Sequence, residues 1–151
     1  MTPRVFACLA CALGCLAVTL AIAVEAVAAI KYRKGVMQGV GSNTNGLAMI
    51  VKDEVEFTDH METRAQALAL AANVALAAFE QNTDGEGGEE TTAKADIWSD
   101  WDDFKSKMEA MSAEADKLVE VAASGDTGAV GGQLGELGKT CKACHDDYRT
   151  K

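Results

Sequence analysis

Ile97–Ala122 reads IWSDWDDFKSKMEAMSAEADKLVEVA. Its apolar residues fall at Ile97, Trp101, Phe104, Met108, Met111, Ala115, Leu118 and Ala122, in alternating steps of four and three. That spacing holds them on one stripe of an α-helix and leaves the charges on the other faces. Such a stripe is buried by packing on other helices. Upstream, Phe57, Met61, Ala65, Leu68, Ala72, Ala75 and Phe79 repeat the pattern. A first helix is predicted over about 25–50, with Ile30, Met37 and Val40 inward. A last one is predicted over about 127–149, with Leu134, Leu137, Cys141, Cys144, His145 and Tyr148 on one stripe. The only proline is Pro3, so nothing interrupts these segments.

The breaks between helices are equally legible. Lys52 to Phe57 reads as a short connection, with Thr58 and Asp59 offering a helix start. Gln81 to Glu90 carries glycines and glutamates and reads as an exposed loop. Ser124-Gly125-Asp126 ends the third helix and caps the fourth. Four helices on short connections give an all-α, antiparallel up-down-up-down bundle. Gly131, Gly132, Gly135 and Gly138 each cost roughly 1 kcal/mol inside the last helix. They predict close approach by a neighbouring helix or a bound group, or a ragged first turn.

Cys141-Lys142-Ala143-Cys144-His145 matches the C-x-x-C-H signature of covalent haem attachment. Two thiols add to the two vinyl groups of one porphyrin, so they sit about one helical turn apart. The next residue, an imidazole, reaches the iron from the same face, as positions i, i+3 and i+4 allow. A zinc site would need further ligands, and only Asp146–Lys151 follow. A thioredoxin-type pair expects a strand–helix context that is not visible here. The motif therefore predicts one haem c per chain, with Cys141 and Cys144 attached and His145 as axial ligand.

Cys8, Cys11 and Cys15 lie in an apolar run preceded by Arg4, the layout of a secretory leader. Ala21-Ile22-Ala23 predicts a cleaved signal peptide at residues 1–23, with cleavage after Ala26 as the alternative. The domain is then 24–151. An uncleaved leader would be a membrane anchor. The net charge is −9, and the leader holds Arg4 but no acidic residue, so the mature chain is more acidic still. This argues against nucleic acid or anionic membranes as partners.

Lys139–Arg149, KTCKACHDDYR, resembles the C-terminus of cytochrome c′. Ile97-Trp98-Ser99-Asp100, Ile30-Lys31-Tyr32-Arg33 with Met37, Val51-Lys52 and Ser124-Gly125-Asp126 are similar to the same family. The resemblance implies a homodimeric periplasmic protein with five-coordinate, largely high-spin haem iron that binds nitric oxide and carbon monoxide. It implies Met37 over the open iron face, and Arg33 and Lys34 at the haem and its propionates. It also implies Thr91 and Thr92 at the haem edge and Arg149 beside the proximal face. Two departures stand out. Family members usually have Gln where this chain has Lys34, and Glu56 replaces a proline usual after the first helix.

The residues alone leave the sixth coordination position open. Met37, Met49, Met61, Met108, Met111 and His60 are the upstream candidates, and methionines on seams are ordinarily core. His60, between Asp59 and Met61, reads as a surface histidine. The resemblance makes gas binding the leading function, with redox partner proteins and an electron-transfer role beside it. The alternative is a six-coordinate, low-spin electron carrier. An enzyme such as a peroxidase would need polar acid–base groups over the iron, and a Met37-covered face supplies none.

Overall fold

A computed structural model describes the backbone of residues 4–150 and the side chains of residues 24–150. The leader expected over residues 1–23 lies outside the residues described in full. Helix α1 spans Arg4–Val51, α2 Met61–Ala75, α3 Asp96–Ser99, α4 Trp101–Ala122 and α5 Thr127–Tyr148. Short 3-10 turns, Thr58–His60 and Leu76–Phe79, flank α2. The long helices α1, α2, α4 and α5 form the four-helix bundle. α1 packs on α2, α2 on α4 and α4 on α5, and α1 closes the bundle against α5. Among the described residues no helix is long and apolar enough to cross a membrane.

The seams form the core. Ile97, Phe104, Met108, Met111, Ala115, Leu118 and Ala122 are all buried, as are Met61, Ala65, Leu68, Ala72 and Ala75 of α2. The sequence pattern misses at two places. The backbone leaves helical geometry at Asp100 (φ −127°, ψ 55°), so the expected third helix is split into α3 and α4 and Trp101 is only half-buried. Phe57 lies off the stripe and is 55% exposed. The 3-10 turn after it breaks the helical phase, and its ring stacks on His60 at 5.1 Å instead. No side chain caps α2 at its start.

The last connection follows the sequence closely. Gly125 takes the left-handed conformation (φ 71°) that ends α4. Asp126 Oδ1 then accepts a hydrogen bond from Ala129 N at 3.0 Å, capping α5. Of Gly131, Gly132, Gly135 and Gly138, Gly131 alone meets a neighbour. A Cβ there would lie 2.7 Å from Val51 Cγ1, whereas Gly132, Gly135 and Gly138 face open space.

The candidate haem site

The bundle leaves a cavity of about 560 Å³ between α1, α4, α5 and the segment after the long loop. α5 contributes Cys141, Cys144 and His145, successive positions of one helical face. α1 contributes Arg33, Lys34 and Met37, and α4 contributes Phe104, Lys107, Met108 and Met111. Thr91, Thr92 and Arg149 complete the edge. All nine residues predicted from sequence thus border one cavity.

The local chemistry follows from burial. Cys141 and Cys144 are free thiols, both half-buried. Loss of water pushes the Cys144 thiol up to about 11 and raises Cys141 as well. His145 is an exposed residue at the cavity edge, yet protein on one side strips water from the imidazole and lowers its basicity, with Arg149 adding to the effect. Both shifts favour neutral groups, and a neutral imidazole keeps a nitrogen lone pair free for a metal.

Arg33 lies inward on the face of Ile30 and Met37 and is only 2% exposed. Its Nε donates to Ala78 O at 3.1 Å, and Nη2 donates to Gln81 O at 3.3 Å. Nη1 and Nη2 both reach Thr83 Oγ1 at 3.2 Å. The guanidinium lies 4.7 Å from the Phe79 ring centroid and 5.1 Å from that of Trp98. It therefore caps the carbonyl end of the α2 arm with a cation. Trp98 adds a bond from Nε1 to Phe79 O at 2.8 Å.

Arg149 does not continue α5, although the sequence pattern predicts the last helix to about 149. It is the C-cap, in extended conformation (φ −122°, ψ 133°), and forms an isolated antiparallel bridge with Ala93. Lys94 N donates to Tyr148 O at 3.0 Å and Thr150 N to Thr92 O at 2.9 Å, so the chain end is knitted to the Thr91–Thr92 edge. Of the other proposed ligands, Met49 is 42% exposed and Met61 is buried in the core. Neither they nor His60 border the cavity, whereas Met108 and Met111 do.

Sequence reasoning missed Lys107. Its ammonium pairs with Asp103 and, at 3.2 Å, with Asp147, and stands 5.5 Å from the Tyr148 ring. Tyr148 OH in turn donates to Asp103 Oδ2 at 2.6 Å. The available signal was a lysine beside the seam residue Met108, with an aspartate four positions earlier.

The residues fit a haem. The wall is apolar, from Met37, Phe104, Met108 and Met111, and suits a flat macrocycle. Two thiols and an imidazole meet it from one helix face, and Lys34, Lys107 and Arg149 supply cations at the edge for acidic substituents. Fold and site together define a helical-bundle c-type haem protein. The chain belongs to the cytochrome c′ family, whose model, described as Cytochrome C', matches residues 28–149. Its cofactor is accordingly haem c, covalently attached.

A cytochrome c' of Halomonas halodenitrificans is 33% identical over 127 residues, covering 82% of this chain and 96% of that protein. A cytochrome c-556 of Agrobacterium tumefaciens is 33% identical over 122 residues, covering 81% and 97%. Among solved structures, a nitric oxide complex of a mutant cytochrome c prime from Alcaligenes xylosoxidans superposes with a TM-score of 0.71 at 31% identity, covering 82% of this chain and 94% of that one.

Proposed function

We propose that this is a periplasmic haem protein that binds nitric oxide and carbon monoxide at five-coordinate, high-spin iron. The observation that carries the reading is the cavity itself, with Cys141, Cys144 and His145 on one wall and the half-buried thioether of Met37 on another. The haem, when bound, supplies a Lewis-acidic iron with one position open to a small neutral ligand. Cys141 and Cys144 would hold the macrocycle, and His145 would ligate its iron. Met37, on the α1 wall of the cavity, would pack against the haem without bonding its iron and keep water and larger ligands out. Lys34 stands where the resemblance sets the propionates. Arg33 has one Nη1–H beyond the bonds described for it, available to the same anions. Thr91 and Thr92 border the edge, and Arg149 stands beside His145 on the proximal side.

The solved nitric oxide complex at 31% identity supports the gas-binding part. Export by the 1–23 leader would deliver the chain to the compartment where covalent haem attachment occurs. A second copy is proposed to cover Leu70 and Val74, which share one face of α2 and are 71% and 47% exposed. Redox partner proteins would meet an acidic molecule.

The place of Met37 on the cavity wall leaves a second reading, a six-coordinate electron carrier in which Met37 bonds the iron. Two experiments test the proposal. Acid–acetone extraction should leave haem with the polypeptide, and haem in the solvent would remove the assignment of Cys141 and Cys144. Met37→Ala should speed carbon monoxide binding by opening the pocket. An unchanged rate would take Met37 off the ligand's path.

A further inference from the structure

We propose that residues 84–90 form a strap across one edge of the haem cavity, with Glu89 as its latch and Lys34 and Lys31 as the catch. The proposal builds on the reading that the cavity holds the haem and takes up gas. The strap is fixed at both ends. Thr83, before it, is buried under the Arg33 guanidinium. Thr92, after it, is tied to the chain end through Thr150. Among the described residues, the hydrogen bonds and ion pairs that join this stretch to another element all run to α1. Lys34 Nζ lies 3.1 Å from Glu89 Oε1 and donates to Glu90 O at 3.1 Å, and Lys31 Nζ lies 4.0 Å from Glu89 Oε2. The bonds of Asp84 N and Glu86 N go to Asn82 and Thr83, inside the loop.

The backbone permits movement. Gly85, Gly87 and Gly88 sit at φ of 69°, 73° and 65°, which glycine adopts at little cost. The position gives the movement a consequence. Lys34 lines the cavity three residues before Met37, and Thr91 and Thr92, directly after the latch, line the same cavity. Releasing Glu89 leaves the Lys34 bond to Glu90 O as the strap's remaining tie to that wall, and so loosens that edge.

The latch is weak by construction. The Lys34 side chain is 52% exposed and that of Glu89 25%, and pairs so placed hold only modestly and yield to salt. Carbon monoxide is uncharged, so salt acts on its entry through the protein's own ion pairs. Salt sensitivity of a neutral ligand's entry is therefore the signature of the latch.

The test uses the haem-loaded protein, Glu89→Gln, and Glu86→Gln as control, since the Glu86 side chain has no ion pair among the described residues. Two quantities are read at about 0.01 M and about 1 M salt: hydrogen exchange of residues 84–90, and the carbon monoxide association rate. In wild type and in Glu86→Gln both should rise roughly twofold to fivefold with salt. In Glu89→Gln both should be high at either salt concentration. Exchange at the wild-type rate in Glu89→Gln overturns the latch. A carbon monoxide rate indifferent to salt and to Glu89→Gln overturns the gate even if exchange quickens. A wild-type protein that takes up no carbon monoxide refutes the gas-binding reading instead, and the exchange measurement alone then decides the latch.

Discussion

Arg33 offers the sharpest quantitative prediction, through paired replacements by Met and by Lys. The buried guanidinium joins α1 to the end of the α2 arm and to Thr83. Met fills a similar space but leaves Ala78 O and Thr83 Oγ1 without their donor. Both positions are buried. A buried group stripped of its partner costs about 1–3 kcal/mol. The lost contacts with Phe79 and Trp98 add about 0.5–1 kcal/mol, and no longer dehydrating a cation offsets part of the sum. The expected loss for Arg33→Met is about 2–4 kcal/mol. For a domain of this size that lowers the melting temperature by roughly 8–15 °C. Lys keeps the charge but lacks the planar fork that reaches Ala78, Gln81 and Thr83 together, so Arg33→Lys should recover less than half of the loss. Denaturant unfolding of the haem-loaded protein measures both. Wild-type stability in Arg33→Lys would refute the reasoning, because charge alone would then be what the site requires.

Two further predictions follow from local geometry. Gly131→Ala should destabilise by about 1–3 kcal/mol, because its Cβ meets Val51, while Gly135→Ala, facing open space, should stabilise by about 0.5–1 kcal/mol; thermal unfolding of the pair checks this. Hydrogen bonds from Lys107 and Tyr148 hold the Asp103 carboxyl below the usual carboxylate range. Its contribution is therefore fully present above the ordinary Asp value and lost as pH falls through the depressed one, so Asp103→Asn should flatten the acid limb of the stability–pH curve.

The bundle was legible because its signal is periodic and local. The seam from Ile97 to Ala122 names buried residues almost one for one. The haem motif was legible for a related reason: Cys141, Cys144 and His145 must share a helix face, and their spacing states that. What escaped depends on departures from helix and on distant pairing. Phe57 left its stripe because a 3-10 turn intervenes, and Arg149 left the helix expected to reach about 149 because the chain turns extended after Tyr148 to meet Ala93. Lys34 pairs with Glu89 across 55 positions, and Tyr148 with Asp103 across 45. No periodicity in either segment announces such partners. Arg33 shares the face of Ile30 and Met37, but the carbonyls it caps belong to a helix end that only the fold brings to it.

The absorption spectrum of the ferrous haem-loaded protein, recorded before and after carbon monoxide, tests the account most directly. A high-spin spectrum that converts on adding carbon monoxide is the predicted result, with His145 proximal and Met37 packed over an open position. A low-spin spectrum that carbon monoxide leaves unchanged would contradict it and make Met37 a ligand of an electron carrier.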